Sequence, residues 1–207
     1  DIEAAHTVST GAGIKVALID SGLDVTHPEI ASRVVDGYDF VNGTGLNYDP
    51  NDTMGQIHGT HVAGLIAKVA PGAELMPLKV FENGRAYTSE IIGAISYAEA
   101  HGAEIVNCSF GRGEDNPALR EAVQQSGMLF VCAAGNDRRD VDEKPVYPAS
   151  YGFDNVISVT SLNADMGFSY YSNYGINSVD IAAFGRDVES CYPNGEYGTC
   201  LLYTSPS

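Results

Sequence analysis

The chain is poor in positive charge and lacks the segments that identify several other protein classes. Only 11 of its 207 residues are Lys or Arg, against 27 Asp or Glu, and the formal net charge is -16. Nucleic acids and anionic membrane surfaces are bound through clusters of basic side chains, so the sequence predicts neither as a partner. It has no uninterrupted apolar run of the roughly 20 residues that a transmembrane helix requires. The absence of a GxGxxG or GKS/T phosphate loop argues against a nucleotide-binding protein.

The four cysteines also lack the close CxxC spacing that is typical of structural zinc sites. Cys108 and Cys132 lie inside apolar, strand-like runs, and we expect both to be buried free thiols. Cys191 and Cys200 flank the segment YPNGEYGT, which has the composition of a hairpin. A disulfide between these two cysteines could close that hairpin.

What the chain does contain is an alternation of short apolar runs with segments of helical periodicity. Its length and its 44% of hydrophobic residues suit a single globular domain. The predicted strands cover residues 14–20, 33–41, 74–81, 104–110, 128–135, 155–161 and 179–184, and the predicted helices cover residues 58–69, 88–101 and 116–125. This alternation predicts βαβ units and an α/β fold with a mainly parallel sheet.

Polar residues stand where three of these apolar runs end. Asp20 ends VALID, Ser109 follows IVNC, and Asn136 follows VCAAG. Each of them alone could cap a turn. Because ligands of open α/β sheets bind outside the carboxyl ends of the strands, the three together predict a functional site on one rim of the sheet.

The segment IHGTHVAGLIA places two histidines three residues apart on a predicted helix. The glutamate of the HExxH zinc motif is missing, so a metalloprotease site is not predicted. The small residues Gly59, Ala63 and Gly64 indicate close packing, which would hold a histidine at the start of the helix rigidly. We interpret His61 as a packed, hydrogen-bonded core residue and His58 as the candidate acid–base group.

Six segments, in order along the chain, resemble the subtilisin-like serine proteases (peptidase S8 family). They are VALIDSGLDVTHPEI, HGTHVAGLIA, VNCSFG, VCAAGN, YPASY and FSYYSNYG with the later VDIAAFG. The resemblance implies a three-layer α/β fold with a mainly parallel central sheet and helices on both faces. It also implies that Asp20 accepts the ring N–H of His58, that His58 is the general base, and that Asn136 donates to the oxyanion. The order Asp, His, Asn, with a serine expected last, matches the subtilisin order.

The same resemblance implies that a polypeptide substrate binds as an extended strand between two edges of the protein. One edge is residues 109–111, and the other is residues 83–87. The substrate-contacting residues that it implies are Ser109, Phe110 and Gly111 on the first edge, Gly84 on the second, and Ala133, Ala134 and Gly135 in the wall of the pocket for the side chain before the cut.

Further expectations concern cofactors, partners and localisation. The chemistry implied needs no cofactor and no catalytic metal. Family members often bind calcium in a loop after the histidine-bearing helix, and this loop looks absent because Lys68-Val69 passes directly into APGAEL. Glu29 and the loop of residues 49–52, which contains Asp49 and Asp52, could bind calcium in another way. By family resemblance we expect a secreted protein and a possible pro-segment, although no signal peptide precedes the first motif.

The sequence does not identify the nucleophile clearly. Two alignments of the last residues with the nucleophile motif of the family are possible. Reading GTC as the family's GTS places Cys200 in the position of the nucleophile. Aligning on the preceding hairpin instead makes Ser205 the candidate, with Leu and Tyr where a tight turn requires small residues. We therefore expect residues 1–200 to be a peptidase domain that is incomplete at its C-terminus, and residues 201–207 to be a non-native tail. The fragment is then expected to be inactive. The alternative is a non-catalytic relative that binds extended peptides.

Overall fold

The computed structural model describes residues 2–200, apart from the side chain of Cys200. Four helices and ten strands follow one another along the described chain. In order they are α1 (Ile2–His6), β1 (Lys15–Asp20), β2 (Tyr38–Asp39), β3 (Thr44–Gly45), α2 (Thr53–Val69), β4 (Glu74–Lys79), α3 (Thr88–Ala100), β5 (Ile105–Cys108), α4 (Pro117–Gln125), β6 (Leu129–Ala133), β7 (Val156–Leu162), β8 (Ile181–Phe184), β9 (Val188–Tyr192) and β10 (Glu196–Cys200).

Eight of the strands form one sheet in the order β3-β2-β4-β1-β5-β6-β7-β8. All of its neighbouring strands are parallel except β2 and β3. β1 lies between β4 and β5, and the chain winds outward to opposite sides from this point. The carboxyl ends of β1 and β5 therefore lie side by side, at the switch point where α/β sheets bind their ligands.

Two hydrophobic cores cover the two faces of the sheet. Ala17 and Ile19 of β1 pack with α3 and α4 on one face, and Val16 and Leu18 pack with α2 on the other. Side chains alternate between faces along a strand, so a run that is apolar throughout requires cover on both sides. The predicted α/β fold with helices on both faces of a mainly parallel sheet is confirmed.

Two element boundaries differ from those predicted. The predicted strand at residues 33–41 shrinks to two residues, because residues 31–33 form a 3-10 turn and Asp36 has a φ of 48°, which no regular strand contains. Helix α2 begins at Thr53 and not at residue 58, because the Asp52 carboxylate accepts the Gly55 N–H and caps it. His58 consequently lies in the second turn of the helix rather than at its start.

β9 and β10 form a separate antiparallel hairpin, which is the segment that a disulfide between Cys191 and Cys200 could have closed. Cys191 lies opposite Tyr197 in the hairpin, whereas Cys200 lies opposite Val188. Cys191 is a buried free thiol. The possible disulfide between Cys191 and Cys200 is therefore not formed. The two strand cysteines, Cys108 and Cys132, are buried free thiols as predicted.

The hairpin docks on α2 and on the loop that follows β1. His61 Nε2 donates to the carbonyl of Val188 at 3.1 Å, and the Ser190 hydroxyl donates to the carbonyl of His61 at 2.7 Å. His27, which is fully buried, donates from Nε2 to the carbonyl of Glu196 at 3.1 Å. These bonds tie a late part of the chain to its first third. Within residues 2–200, no helix combines the length and the apolar character needed to span a bilayer.

Candidate active site

The centre of the candidate site is a contact between the end of β1 and the second turn of α2. His58 Nδ1 lies 2.8 Å from Oδ1 and 2.9 Å from Oδ2 of Asp20. The Asp20 side chain is 6% exposed, and that of His58 is 25% exposed. The Ser21 backbone N–H donates to Asp20 Oδ1 at 2.7 Å, which fixes the carboxylate from a second direction. The structure therefore brings together the two side chains that the sequence assigns to a triad.

Two glycines allow the helix to approach this carboxylate closely. A methyl group on Gly59 would overlap the carbonyl oxygen of Gly22 and would lie 3.3 Å from Asp20 Oδ1. Gly22 itself has a φ of 87°, in the left-handed region that favours glycine. The prediction of close packing at Gly59 is confirmed, and its neighbour on the helix surface is the turn that follows Asp20.

The electrostatics of the contact favour a protonated His58. The Asp20 carboxylate raises the pKa of His58 above its ordinary value of 6.5, against the opposing effect of burial. When His58 is neutral, a proton on Nδ1 satisfies Asp20 and leaves the lone pair on Nε2. This tautomer is the one that can take a proton from a nucleophile on the side away from Asp20.

A cavity of about 450 Å³ opens beside this contact. It is lined by Asp20, His58, Gly84 and Ser109, among others, so it joins the candidate catalytic pair to both candidate substrate edges. The Ser109 hydroxyl accepts a hydrogen bond from the Asn107 side-chain amide at 2.8 Å. The site lies at the carboxyl ends of β1 and β5, as the sequence predicts.

Asn136 follows β6 and lines two further cavities, of about 480 and 270 Å³. Among the described residues, its side-chain amide has no hydrogen-bond partner, which leaves the amide N–H groups able to donate to a ligand. Gly135 lines both cavities with Asn136, and Ala133 lines the smaller one. Ala134 differs from its predicted role, since it is 1% exposed and is not among the residues that line these cavities.

The loop that carries Asn136 is held by Asn173, which sequence reasoning did not single out. Asn173 is fully buried, and its side-chain oxygen accepts the backbone N–H groups of Asp137 at 2.9 Å and Arg139 at 3.2 Å. Its amide nitrogen donates to the carbonyl of Ala134 at 2.8 Å. The only signal in the sequence is a single amide inside the aromatic segment FSYYSNYG.

The two predicted substrate edges face each other across a cleft of about 740 Å³. Phe110 and Phe81, with ring centroids 5.4 Å apart, line its apolar part, and Gly84 and Gly111 also line the cleft. The second edge contains a tight turn. Glu82 and Arg85 exchange two backbone hydrogen bonds around a tight turn, and the exposed Gly84 lies within that turn.

Two other sequence interpretations concern the surroundings of the site. His61 is 2% exposed and hydrogen-bonded, and burial lowers its pKa, which confirms its interpretation as a core histidine. Helix α2 ends at Val69 and β4 begins at Glu74, and the expected absence of a calcium loop between them stays a prediction. Glu29, one of the alternative calcium ligands, accepts a hydrogen bond from the Tyr197 hydroxyl. Residues 2–199 contain no group of three acidic, His or Cys side chains placed to hold a metal ion.

Neither candidate nucleophile can be placed. The backbone of Cys200 ends β10, but its side chain lies outside the described part of the protein. Ser205 and the predicted tail at residues 201–207 also lie outside it.

Comparison with known proteins identifies the family. The model of the subtilase family, peptidase S8, matches residues 11–206. The chain therefore belongs to the subtilase family of serine proteases. This match includes most of the segment for which a non-native tail is expected, and that expectation stays a prediction.

Three curated relatives are similar over nearly the whole chain. The major intracellular serine protease of Bacillus subtilis (strain 168) is 38% identical over 205 residues, covering 91% of this chain and 63% of that protein. The intracellular serine protease of Paenibacillus polymyxa is 39% identical, covering 95% and 64%. Thermitase of Thermoactinomyces vulgaris is 34% identical, covering 94% and 71%. The chain thus spans less than two thirds of the length of the first two relatives.

Solved structures show the same fold. A cold adapted subtilisin-like serine proteinase superposes with a TM-score of 0.81 at 31% identity, covering 92% of this chain and 70% of that one. A lanthipeptide protease superposes with the same TM-score at 26% identity, covering 98% and 73%. The subtilisin-like α/β architecture of the chain follows from these likenesses and from its own sheet order.

Proposed function

We propose that this chain belongs to the catalytic domain of a serine endopeptidase that hydrolyses peptide bonds with an Asp-His-Ser triad. The observation that carries the proposal is the contact of His58 Nδ1 with both carboxylate oxygens of Asp20, at 2.8 and 2.9 Å. The serine is expected outside the described residues. Membership of the subtilase family supports the reaction class.

In the proposed reaction, the serine hydroxyl gives its proton to His58 Nε2 as its oxygen attacks the carbonyl carbon of the substrate. Asp20 holds the ring and stabilises the imidazolium that forms. The side-chain amide of Asn136 donates to the oxyanion of the tetrahedral intermediate. His58 then passes the proton to the leaving amine, and an acyl-enzyme remains for hydrolysis by water. No metal or cofactor takes part in these steps.

The proposed substrate is a polypeptide that lies as an extended strand in the cleft between residues 83–87 and 109–111. The backbone of Ser109, Phe110 and Gly111 would pair with it, because this segment follows the end of β5 and lines the cavities at that rim of the sheet. Gly84 would approach it from the other side. Asn136, Gly135 and Ala133 would surround the residue that precedes the cut.

The test uses the natural protein that contains this sequence, beside its His58→Ala and His101→Ala variants. We expect labelling by a serine-directed fluorophosphonate and cleavage of casein in the wild type and in the His101→Ala control, whose histidine is exposed on α3's C-terminal cap. Both signals should be lost in His58→Ala. Binding of casein peptides without labelling or cleavage by the wild type would support the non-catalytic, peptide-binding alternative instead.

For the 207-residue chain itself we expect no proteolysis, since the sequence offers no legible nucleophile. Turnover by this chain that depends on His58 would contradict that expectation. Extracellular localisation remains the expectation from family resemblance, while two relatives are named as intracellular proteases. Immunodetection of the natural protein in culture medium and in cell lysate distinguishes the two compartments.

A further inference from the structure

Cys108 and Cys132 lie opposite each other in neighbouring strands of the central sheet. β5 and β6 are parallel, and their register pairs the Cα atom of Cys108 with that of Cys132. Both residues are 1% exposed, and both belong to the core beneath α3 and α4. Their thiols hydrogen-bond to each other. Cys191 is also a buried free thiol, but it belongs to the core on the other face of the sheet.

The spacing of the two strands suits a disulfide between these cysteines. Neighbouring strands lie about 4.8 Å apart, and disulfides join Cα atoms that are roughly 4.4–6.8 Å apart. The Cβ atoms of a disulfide lie about 3.8 Å apart, so those of Cys108 and Cys132 must approach each other by about 1 Å from the strand spacing. A disulfide that is formed under such strain is easily reduced, which makes the modification reversible.

The surroundings of the pair keep it reduced under mild conditions. The hydrogen bond to Cys108 and burial raise the pKa of the Cys132 thiol well above its ordinary value. The thiolate is the form of cysteine that attacks an oxidant, so oxidation of the pair is slow at neutral pH and accelerates as the pH rises. The pair therefore responds to sustained oxidation rather than to a brief exposure.

Each cysteine directly precedes a residue of the candidate site. Ser109 follows Cys108 and lines the cavity beside the candidate catalytic pair. Ala133 follows Cys132 and lines the cavity of about 270 Å³ together with Asn136. Because close-packed interiors transmit strain, an approach of about 1 Å between the two strands displaces these residues on the rim of the sheet.

From these contacts we propose that Cys108 and Cys132 form a redox site, at which hydrogen peroxide produces a disulfide that lowers the peptidase activity. The disulfide is independent of the proposed function, whereas its effect on peptide cleavage rests on that function.

The oxidation proceeds in two steps, and peroxide is the oxidant. One thiolate attacks a peroxide oxygen and the O–O bond breaks, which gives a sulfenic acid and a hydroxide that is protonated to water. The second sulfur then attacks the sulfenic sulfur, the S–O bond breaks, and the leaving hydroxide takes the proton of the second thiol to form another water. In total, two electrons pass from the two sulfurs to the peroxide.

The first test is a map of the cross-link. The folded 207-residue chain is treated with hydrogen peroxide, freed of peroxide, and then denatured in iodoacetamide, which alkylates the remaining thiols. Trypsin separates Cys108, in residues 86–112, from Cys132, in residues 121–138. We expect mass spectrometry to find these two peptides joined, and to find both cysteines alkylated if dithiothreitol is added first. The cross-link should form faster at about pH 9 than at about pH 7.

Cys191→Ala is the matched control, because it removes a buried free thiol from the other core. This variant should keep the cross-link, and Cys132→Ala should lose it. Circular dichroism verifies that each variant is folded, and Cys108→Ala replaces Cys132→Ala if the latter does not fold.

The second test measures casein cleavage by the natural protein that contains this sequence. A displacement of about 1 Å in a catalytic site can cost roughly 100-fold in rate, so peroxide should lower cleavage by up to that factor. Dithiothreitol should restore cleavage in the wild type and in Cys191→Ala, because it reduces disulfides but not methionine sulfoxide. In Cys132→Ala, dithiothreitol should restore nothing.

The outcomes separate this proposal from the proposed function. Absence of the cross-link between Cys108 and Cys132 in the folded chain overturns the redox site. A cross-link without a loss of cleavage that dithiothreitol reverses overturns its effect on activity. A natural protein that cleaves no casein before oxidation contradicts the proposed function instead, and the cross-link alone then decides whether the redox site exists.

Discussion

Replacing Gly59 by alanine tests whether the candidate triad depends on close packing between α2 and the turn after Asp20. A Cβ at residue 59 would lie about 1 Å inside the closest approach of a side-chain carbon to the Gly22 carbonyl oxygen. The helix or the turn must therefore move by about that distance. A movement of this size lengthens the 2.8 Å bond from His58 to Asp20 to about 3.8 Å, beyond hydrogen-bond range.

Two measurements report this displacement. Overpacking at such a site costs about 1–3 kcal/mol, which lowers the melting temperature of a domain of this size by roughly 2–12 °C. The pKa of His58 should also fall, because the carboxylate that raises it moves away while the ring stays largely buried. Circular dichroism follows the melting, and an NMR titration of the imidazole C–H resonances follows the pKa.

Gly93→Ala is the matched control, since Gly93 is also a glycine inside a helix, α3. A Cβ there would lie 3.4 Å from the ring of Phe40, an ordinary contact. This variant should gain about 1 kcal/mol from helix propensity and leave the His58 titration unchanged. An unchanged melting temperature and His58 pKa in Gly59→Ala would refute the argument that this glycine sets the geometry of the pair.

Three further predictions concern the same site. Asp20→Asn should lower the pKa of His58 below 6.5, because the carboxylate that raises it is lost while burial, which lowers it, remains. NMR titration measures this pKa. A His58 pKa that stays raised would contradict the conclusion that Asp20 is its cause. Folding raises the pKa of His58, so protonated His58 stabilises the folded state. This stabilisation is complete at pH values below the pKa of His58 in the unfolded state, and it is lost as the pH rises through the pKa of His58 in the folded state. The excess stability of the wild type over His58→Gln in urea titrations should therefore be larger at about pH 5.5 than at about pH 9, and a reversed order would overturn this sign. Asn173→Ala should cost about 1–3 kcal/mol in urea denaturation, because it removes a buried amide and leaves the Asp137 and Arg139 N–H groups without their acceptor. Asn177→Ala, on the surface, should cost little.

The strand ends are where the sequence predicts the site best, because their position is fixed by local chemistry. An apolar run that stops at Asp20 or just before Ser109 marks both the end of a buried strand and the rim of the sheet. The parallel register then places those ends together. The order of the strands did not need to be known for this, since any mainly parallel sheet aligns its carboxyl ends.

Features that depend on distant contacts could not be predicted in the same way. Asn173 acts on residues 34 and 36 positions earlier in the chain, and nothing local distinguishes it from a turn-forming asparagine. Val146 lies against Gly111, 35 positions earlier in the chain, beside the backbone pairing of Tyr147 with Arg112. The start of α2 differs from the predicted start for another reason. The segment TMGQI shows little apolar periodicity, and the capping Asp52 is the local signal for a helix there.

The docking of the β9–β10 hairpin has a consequence for synthesis on the ribosome. Asp20 and His58 are 38 positions apart, so both are available to meet early in translation. The hairpin contacts His61 and His27 across 127 and 169 positions, and these bonds form only after nearly all of the described chain has emerged. Closing such long loops is also the slower step. During translation the face of α2 that carries His61 therefore stays exposed until the hairpin is synthesised. In that interval the face is accessible to a chaperone that binds nascent chains.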